Sequence, residues 1–345
     1  MSKDSVLIIG GGVAGLEAAL HLAACKIAVV LAEKETSLGG RVAGFSNLFP
    51  TGSAGTELTR RLIVKAAASP LLTLLKDTEV TALTRDDNAF KAVLQRKTGG
   101  QETLACGAVL FAAGCESFPA ACYGEYGYGR YDAVITGLEF EQQLAKWTAK
   151  KPRAAAFVQC VGARDRSKGM PYCSRICCMY TAKQAAMLRK ALPDCQIYVF
   201  YMDIRTNFPG GEECVRRVME EDRVHYIRGR VSKVFPHKER LLLRAEDTLM
   251  GLPVELEADL VVLAAALLPA SSAVRLAAGL GAVTDAYGFL RAPLSAGAPT
   301  RIAGGVFSAG GCTFPVSAAE AMTQGAAAAA DVCAYLQQTQ GRVAL

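Results

Sequence analysis

The sequence has 345 residues, of which 51% are hydrophobic and 20% charged, and its formal net charge is +6. This length favours two α/β domains over a single core. The longest apolar stretch, residues 260–268, is too short for a membrane-spanning helix, which needs roughly 18 residues. The N-terminus has no apolar signal-peptide core, so we expect a cytoplasmic protein. Basic residues are dispersed, which argues against a nucleic-acid partner.

The first part of the chain alternates between strands and helices. A short apolar strand over 6–10, helical apolar spacing over 13–24 and a second buried strand over 27–31 predict a βαβ unit. The elements that follow are a helix over 57–65, strands around 80 and 92–94, and a buried strand over 106–113. They predict a first α/β block.

A bridge rich in Tyr and Gly at 123–131 leads into a second α/β block. Its predicted elements are a helix near 138–147, a strand over 154–159, a helix over about 177–192, a strand over 197–201, a helix over 212–220, and strands near 224–227, 241–243 and 259–266. A strand over 305–310 and an alanine-rich helix over 318–336 close the chain. We predict a discontinuous Rossmann-like domain (1–125 and 256–345) with a second α/β domain (126–255) inserted into it.

The first βαβ unit carries a dinucleotide-binding fingerprint, which comprises Gly10, Gly12, Val13, Ala14 and Gly15. Gly10 permits a tight turn, Gly12 lets the backbone approach a pyrophosphate, and Gly15 lets helix and strand pack closely. The helix N-terminus offers N–H groups and a positive dipole to the phosphates. Glu33, at the end of the second strand, is placed to accept ribose hydroxyls. This combination indicates a dinucleotide site rather than a plain Gly-rich turn.

NAD and FAD share this fingerprint, and the segment after the acid favours FAD. Glu33-Lys34 followed by Gly39-Gly40-Arg41 resembles the two-dinucleotide-domain flavoproteins, in which the Gly-Gly-Arg wraps the pyrophosphate from the other side. The resemblance implies that Val80 holds the adenine through its backbone. It also implies that a small-residue strand end passes under FAD, here Ala112, Ala113 and Gly114.

The C-terminal part resembles the same flavoproteins. The segment that ends in Gly310-Gly311 resembles the one that contacts the ribityl chain and usually ends in Gly-Asp. Gly311 replaces the aspartate, so that contact must be made in another way. The N-terminus of the helix near Ala318 is then placed to stabilise negative charge on the pyrimidine ring of the flavin.

The 12 cysteines are unevenly distributed. In a reducing compartment cysteines are metal ligands, redox groups or small buried hydrophobes more often than a disulfide framework. Several are predicted to be structural and to sit singly in helical or strand patterns: Cys25, Cys106, Cys195, Cys214 and Cys333. A second set is crowded together: Cys160, Cys173, Cys177 and Cys178.

The crowded cysteines stand where thioredoxin-reductase-like enzymes carry a second glycine fingerprint for NAD(P)H. The sequence after the strand over 154–159 lacks the three-glycine pattern, and the inserted domain has no Cys-x-x-Cys pair. We therefore expect electrons to come from something other than NAD(P)H. Four thiolates satisfy a [4Fe–4S] cluster, whose charge Arg164, Arg166 and Arg175 would offset. The spacing alone leaves open a zinc site and buried or disulfide-forming cysteines.

Three segments carry a closer resemblance: Gln159-Cys160-Val161-Gly162, Tyr172-Cys173-Ser174-Arg175-Ile176-Cys177-Cys178-Met179-Tyr180 and Lys183-Gln184-Ala185. They resemble the A-type flavin subunit of heterodisulfide reductases. The resemblance implies a thioredoxin-reductase-like fold with FAD, and a [4Fe–4S] cluster on the four crowded cysteines. It also implies that Lys183 approaches the reactive N5 edge of the flavin, where a cation would tune it. The alternative is a solvent-facing helical lysine.

Methanogen subunits of this family carry extra ferredoxin-type modules, which this chain lacks. It resembles the short form in heterodisulfide-reductase-like complexes of sulfur-oxidising bacteria. This implies an electron-transfer subunit that works with subunits resembling B and C, and through them with a lipoate-binding protein, in the oxidation of protein-bound sulfane sulfur. A homodimer is also implied. The alternatives are an NAD(P)H-dependent disulfide reductase, a zinc-binding flavin scaffold, and a subunit of a quinone-linked or electron-bifurcating heterodisulfide reductase.

Overall fold

The computed structural model describes residues 4–86, 89–206, 208–291 and 298–339. The helices are α1 (Val13–Ala24), α2 (Gly55–Ala67), α3 (Gly137–Lys150), α4 (Cys177–Ala191), α5 (Gly211–Glu220), α6 (Ser271–Ala278) and α7 (Ala318–Thr339). Within these residues, no helix has the length and apolar character that crossing a membrane requires.

The strands are β1 (Val6–Ile9), β2 (Val29–Ala32), β3 (Leu72–Leu75), β4 (Thr78–Asp86), β5 (Ala89–Arg96), β6 (Gln101–Cys106), β7 (Ala108–Phe111), β8 (Cys115–Ser117), β9 (Val134–Thr136), β10 (Ala154–Val161), β11 (Gln196–Tyr201), β12 (His225–Arg228), β13 (Val231–His237), β14 (Arg240–Asp247), β15 (Leu252–Ala258), β16 (Leu260–Ala265), β17 (Leu267–Pro269), β18 (Arg301–Ala303) and β19 (Val306–Ser308). Each predicted strand and helix corresponds to one of these elements.

The chain folds into two compact units. Unit 1 comprises the chain up to Gly44, Ala54–Glu116 and the chain from Leu268 onward, and unit 2 comprises Phe45–Ser53 and Ser117–Leu267. These bounds differ from the predicted domain boundaries at 125/126 and 255/256. The second boundary comes later in the chain because β16 pairs in parallel with β10 and β9, which places β16 in the sheet of unit 2.

Unit 1 is built on a sheet with the strand order β18-β19-β7-β1-β2-β3, parallel apart from β18. Successive residues of a strand point to opposite faces. Ile8 accordingly packs into a core with Leu16 and Val332 from α1 and α7, whereas Leu7 packs into a second core with Leu94 of β5. Covering both faces explains why the central strands are apolar throughout. The carboxyl ends of β1 and β7 therefore meet at one sheet edge, where ligands bind in such folds.

Unit 2 repeats this architecture with a parallel sheet in the order β12-β11-β10-β16-β9. Every residue of the central strand β10 is buried. Phe140 of α3, Leu188 of α4 and Val215 of α5 contribute to the core against this sheet. The antiparallel strands β13, β14 and β15 form a separate small sheet. The loop that leaves the carboxyl end of β10 leads to the N-terminus of α4.

Candidate functional site

The turn between β1 and α1 requires glycine at two positions. Gly10 has a φ of +108°, and a Cβ atom there would lie 2.4 Å from the carbonyl oxygen of Ala112. A Cβ atom on Gly15 would lie 2.1 Å from the carbonyl oxygen of Gly10. A Cβ atom on Gly12 would meet no atom within 4 Å. Gly12 therefore faces open space at the start of α1, where a phosphate group would find helix N–H groups.

The helix itself begins at Val13, and no side chain caps it. Ala14 is buried, and its carbonyl oxygen would lie 2.3 Å from a Cβ atom on Gly325, so α7 packs directly on α1 here. The first-turn N–H groups of α1 thus remain available for a ligand rather than for a capping side chain.

Glu33 is held rigidly beside this turn. Its Oε2 accepts a hydrogen bond from the amide of Gly11 at 2.7 Å, and its Oε1 accepts one from the amide of Glu35 at 2.9 Å. The residue is 8% exposed, whereas the neighbouring Lys34 is exposed. A carboxylate has more acceptor sites than these two amides use, so Glu33 is able to accept ribose hydroxyls as well.

The Gly-Gly-Arg segment lies against the same turn. The amide of Gly39 donates to the carbonyl oxygen of Gly11 at 2.8 Å. A Cβ atom on Gly40, whose φ is +57°, would lie 3.2 Å from the Cα atom of Gly12. The half-buried Arg41 follows, and its Nη1 lies 3.8 Å from the Sγ atom of Cys115. The structure therefore brings the predicted pyrophosphate-binding segments together.

Most of the other residues of unit 1 that are predicted to contact FAD lie just after two neighbouring strands. Ala112, Ala113 and Gly114 come directly after β7, and Gly310 and Gly311 come after β19, which pairs with β7. Gly310 has a φ of +76°, and its amide donates to Oε1 of Gln324 at 2.7 Å. Val80 is buried in β4, next to an irregularity in its pairing with β5.

The N-terminus of α7, which begins at Ala318, already has a cap. The amide of Ser317 donates to Oε2 of Glu320 at 2.8 Å, and the amide of Glu320 donates to Oγ of Ser317 at 3.2 Å. This capping box uses part of the hydrogen-bonding capacity of the helix end, and Glu320 adds a negative charge there. The predicted stabilisation of flavin charge by this helix would come from the amides that remain.

The backbone is strained at the carboxyl end of β10 and in the loop that follows it, around the crowded cysteines. Cys160, Arg164 and Arg175 have φ values of +59°, +59° and +58°, a region that residues other than glycine rarely adopt. The register of β10 against β16 also shifts between Val158 and Val161. Strained backbone of this kind concentrates at functional sites.

The structure brings the four predicted cysteines together. The side chain of Cys177 is hydrogen-bonded to those of Cys173 and Cys178, and Cys160 interacts electrostatically with Cys173 and Cys178. Cys173 is half-buried and the other three are buried. Cys177 and Cys178 form the first turn of α4, where the helix dipole favours thiolates.

Amide and guanidinium groups surround these sulfurs. The Sγ atoms of Cys173 and Cys178 accept hydrogen bonds from the amides of Arg175 and Arg205 at 3.3 and 3.4 Å. The hydrogen bond from Cys177 lowers the pKa of Cys173 to about 6, with help from the charges of Arg205 and Arg164. Burial raises the pKa of Cys160 to about 11. Of the predicted arginines, Arg164 acts on Cys173 through its charge and Arg175 through its amide, and the charge of Arg205, which was not predicted, adds to that of Arg164.

The fit of the four thiols to a metal centre depends on their chemistry. In the described ranges, no group of three or more His, Cys, Asp or Glu side chains is arranged to hold a metal ion. A [4Fe–4S] cluster requires one thiolate on each of four irons rather than four ligands around one point. The donor set of converging thiols, with amide and guanidinium neighbours, fits the chemistry of such a cluster.

Lys183 is buried in unit 2 rather than solvent-facing. Its Nζ atom forms an ion pair with Glu141, donates to the carbonyl oxygen of Asn47 at 3.0 Å, and lies 5.2 Å from the ring centre of Phe45. Only 12% of the lysine side chain is exposed, so the alternative of a solvent-facing lysine is wrong. The role at the flavin that the resemblance implies stays a prediction.

Several polar residues of this region were not predicted. Asp203 pairs with Arg164 at 2.5 Å and with Arg205 at 3.3 Å. Gln159 lies 3.4 Å from the Sγ atom of Cys178. Gln159 and Asp203 both lie at or just beyond the carboxyl ends of parallel strands. This position in the sequence could have identified them as candidate site residues.

The cysteines predicted to be structural are distributed over both units. Cys106 and Cys195 are buried, Cys214 and Cys333 are half-buried, and Cys25 is exposed. Their structural role stays a prediction.

Comparison with known proteins supports the assignment of fold and class. Residues 4–162 match the pyridine nucleotide-disulphide oxidoreductase family. Thioredoxin reductase from T. acidophilum superposes with a TM-score of 0.70 and 17% identity over 96% of this chain and 99% of its own. The NAD-dependent persulfide reductase from A. fulgidus gives a TM-score of 0.63 with 17% identity over 95% of this chain and 59% of its own. The chain therefore has a thioredoxin-reductase-like fold, and its first part is similar to a class of disulphide oxidoreductases.

Sequence relatives narrow this class. The A-type iron-sulfur subunit of the CoB–CoM heterodisulfide reductase of Methanocaldococcus jannaschii is 32% identical over 98% of this chain and 65% of its own length. One of the corresponding A-type subunits of Methanopyrus kandleri is 30% identical over 95% of this chain and 63% of its own length. The chain thus spans slightly less than two thirds of these relatives. It is a homologue of the A-type subunits of heterodisulfide reductases, as the sequence resemblance predicted.

The alignment also shows that part of the length difference between this chain and its relative lies within the aligned region. It extends over 429 positions with the Methanocaldococcus jannaschii protein, more than the 345 residues of this chain. That relative therefore carries additional segments inside the aligned region.

Proposed function

We propose that the chain is the FAD- and [4Fe–4S]-containing electron-transfer subunit of a cytoplasmic heterodisulfide-reductase-like complex. The observation that carries this proposal is the convergence of Cys160, at the carboxyl end of β10, with Cys173, Cys177 and Cys178, which follow that strand. Thioredoxin-reductase-like enzymes carry a nucleotide fingerprint there, and this chain has thiols instead. The relatives whose names describe them as iron-sulfur subunits support the same assignment.

Unit 1 would hold the flavin cofactor. FAD, when bound, supplies chemistry that links two-electron and one-electron transfer. The glycine turn, the N-terminus of α1 and Arg41 would bind its pyrophosphate, and Glu33 would bind the adenosine ribose. The remaining contacts would come from Lys34, Val80, Ala112, Ala113, Gly114, Gly310, Gly311 and Ala318.

The four cysteines of unit 2 would hold the cluster. The amides of Arg175 and Arg205 already donate to two of the sulfurs. Hydrogen bonds to ligand sulfur and nearby positive charge stabilise the more negative, reduced state of such a centre. Arg164 and Arg205 would supply that charge, and Asp203 fixes their positions through its two ion pairs.

The proposed substrate is protein-bound sulfane sulfur, which the complex would oxidise. Partners would be subunits resembling B and C of heterodisulfide reductases and, through them, a lipoate-binding protein, with the chain itself as a homodimer. The resemblance to the short form in sulfur-oxidising bacteria supports these proposals.

The test is metal and sulfide analysis after anaerobic reconstitution of the full chain. We expect about four irons and four acid-labile sulfides per chain. A Cys173→Ser variant should lose most of both, whereas Cys195→Ser, which removes a buried cysteine elsewhere in unit 2, should retain them. Zinc in place of iron, or equal retention by the two variants, would contradict the assignment.

The family match favours a second candidate, an NAD(P)H-dependent disulfide reductase. Anaerobic addition of NADPH and of NADH to the flavin-loaded protein separates the two. Slow or absent bleaching of the flavin absorbance is expected for the electron-transfer role that we propose. Rapid bleaching within the time of mixing would favour the reductase.

A further inference from the structure

Gln159 is a buried polar residue of β10 whose side chain reaches one of the crowded cysteines. It is 7% exposed, and its Oε1 accepts a hydrogen bond from the thiol of Cys178 at 3.4 Å. The Nε2 atom of the same carboxamide is buried and, among the residues that the structure describes, has no hydrogen-bond partner. A buried N–H group without a partner costs free energy, so this donor is suited to an acceptor that the thiol form of the site does not supply.

The backbone of β10 is irregular at this residue. Its pairing with β16 shifts register between Val158 and Val161, and Cys160 has a φ of +59°. Irregularities of this kind re-aim side chains next to functional sites. The carboxamide of Gln159 reaches Cys178 in the first turn of α4, so it lies between the end of the strand and the start of the helix.

Two main-chain groups also lie near the Cys178 sulfur. The amide of Arg205 donates to it at 3.4 Å, and the carbonyl oxygen of Asp203 lies 3.8 Å away and accepts from the thiol. The oxygens of Gln159 and Asp203 are therefore favourable neighbours only while the sulfur keeps its proton. A cysteine that binds a metal loses this proton, and the Gln159 oxygen would then face a negatively charged sulfur.

A half-turn of the carboxamide removes this repulsion. The oxygen and nitrogen of a glutamine amide are nearly equal in size, and rotation about the last side-chain bond exchanges their positions. The rotation points Nε2 of Gln159 at the Cys178 sulfur. Oε1 takes the place without a partner, which a carbonyl oxygen tolerates better than an N–H group does. The donor that is unpaired beside the thiol thus gains an acceptor beside the thiolate.

We propose that Gln159 donates a hydrogen bond from Nε2 to the ligand sulfur of Cys178 and thereby raises the reduction potential of the cluster. This inference rests on the proposed [4Fe–4S] cluster. Reduction adds negative charge to the ligand sulfurs, so a hydrogen bond to one of them is stronger in the reduced state. Burial increases the effect, because a hydrogen bond is electrostatically stronger away from water.

The first experiment measures the midpoint potential of the reconstituted full chain by a redox titration that is followed by electron paramagnetic resonance (EPR). In Gln159→Leu the equilibrium between reduced and oxidised cluster should shift about tenfold towards the oxidised state, which is about 60 mV for one electron. Gln196→Leu, at an exposed glutamine of β11, is the matched control and should keep the potential of the parent.

Iron content separates this inference from the proposed function. A Gln159→Leu protein that retains about four irons but keeps the potential of the parent, within about twofold in the equilibrium, would overturn the role of Gln159 alone. A parent protein that takes up no iron would overturn the proposed function and this inference together.

The second experiment does not depend on the folding of a variant. The parent chain is labelled with ¹⁵N only in its glutamine side chains, and pulsed EPR of the reduced cluster should detect a weak coupling to ¹⁵N. The coupling should disappear in Gln159→Leu and remain in Gln196→Leu. A parent without this coupling would overturn the proposal, even where Gln159→Leu fails to hold the cluster. A coupling that persists in Gln159→Leu would do the same, because it would come from another glutamine.

Discussion

Lys183 and Glu141 form an ion pair in which only 12% and 2% of the two side chains are exposed. Gln184 donates to the same carboxylate oxygen at 3.1 Å. The other oxygen of Glu141 is buried and, within the described residues, has no hydrogen-bond partner. Burial lowers the pKa of Lys183, and the charge of Glu141 opposes that change. Each charge therefore depends on the other for its place in the core.

Replacing one residue of the ion pair should lower the free energy of unfolding much more than replacing both. A Lys183→Met variant leaves the Glu141 carboxylate buried and uncompensated, and we expect the free energy of unfolding to fall by about 3–5 kcal/mol. Urea denaturation at pH 7 measures this change.

The double variant Lys183→Met/Glu141→Gln should regain most of the lost stability, because the uncompensated charge is gone. Lys190→Met, at an exposed position of the same helix, should change stability by no more than about 0.5 kcal/mol. A loss of that small size for Lys183→Met would show that the pair does not stabilise the fold.

The sequence predicts the bounds of helices and strands well where their apolar pattern is strong. The predicted helix over 13–24 has the observed bounds of α1, and the predicted helix over 177–192 ends one residue later than α4. Both follow buried strands, β1 and β10, so the change from an apolar strand pattern to a helical pattern is clear in the sequence. The crowded cysteines were also predictable, because they are local in sequence.

Weaker patterns and distant contacts could not be predicted. β13 and β15 contain Pro236 and Pro253, and proline argues against a strand. The partner of Lys183 lies on another helix, and the ion pair between Arg164 and Asp203 joins residues that follow different strands. Neither pairing leaves a periodic signal, because each arises only when separate elements pack.

The two fingerprint glycines should separate ligand binding from folding. Gly12→Ala adds a methyl group to open space, so the apoprotein should keep or slightly gain stability, by up to about 1 kcal/mol. The same methyl group occupies the proposed path of the pyrophosphate, so FAD affinity should fall at least about tenfold. Thermal unfolding of the apoprotein and fluorescence titration with FAD measure the two effects.

Gly15→Ala is the matched comparison, because its methyl group would lie 2.1 Å from the Gly10 carbonyl oxygen. Here the apoprotein itself should lose stability, by about 2 kcal/mol or more. Equal stability losses for the two variants would contradict the assignment of Gly12 to the ligand side of the turn.

Asp165 should make part of the stability of the protein depend on pH in the acid range. Its carboxylate accepts hydrogen bonds from Ser167, through the amide at 2.9 Å and the hydroxyl at 2.6 Å, and from the Tyr123 hydroxyl at 2.5 Å. Ser167 first, and then Tyr123, lower the pKa of Asp165 from 3.8 to about 2. The folded state thus holds its proton less tightly than the unfolded state, and the stabilisation is present above about pH 4 and lost as the pH falls towards 2.

An Asp165→Asn variant should therefore be less stable than the parent at pH 6, and the difference should shrink between pH 4 and pH 2. Urea denaturation across this range measures it. Tyr123→Phe removes one of the hydrogen bonds and should show the same trend with a smaller amplitude. A difference between parent and Asp165→Asn that stays constant with pH would rule out this role for the carboxylate.

Glu33 should determine affinity for the adenosine half of FAD. In Glu33→Gln an NH₂ group replaces one oxygen, so one of the two amides, that of Gly11 or that of Glu35, loses its acceptor, and the uncharged side chain binds a ribose hydroxyl less well. A hydrogen bond to a charged group contributes about 1.5–3 kcal/mol, so FAD affinity should fall about ten- to hundredfold. ADP-ribose, which shares this half, should lose affinity equally, and FMN, which lacks it, should not. Glu35→Gln, at a 62% exposed side chain, is the matched control and should bind FAD as the parent does. A loss that extends to FMN would indicate a damaged fold instead of a lost ribose contact.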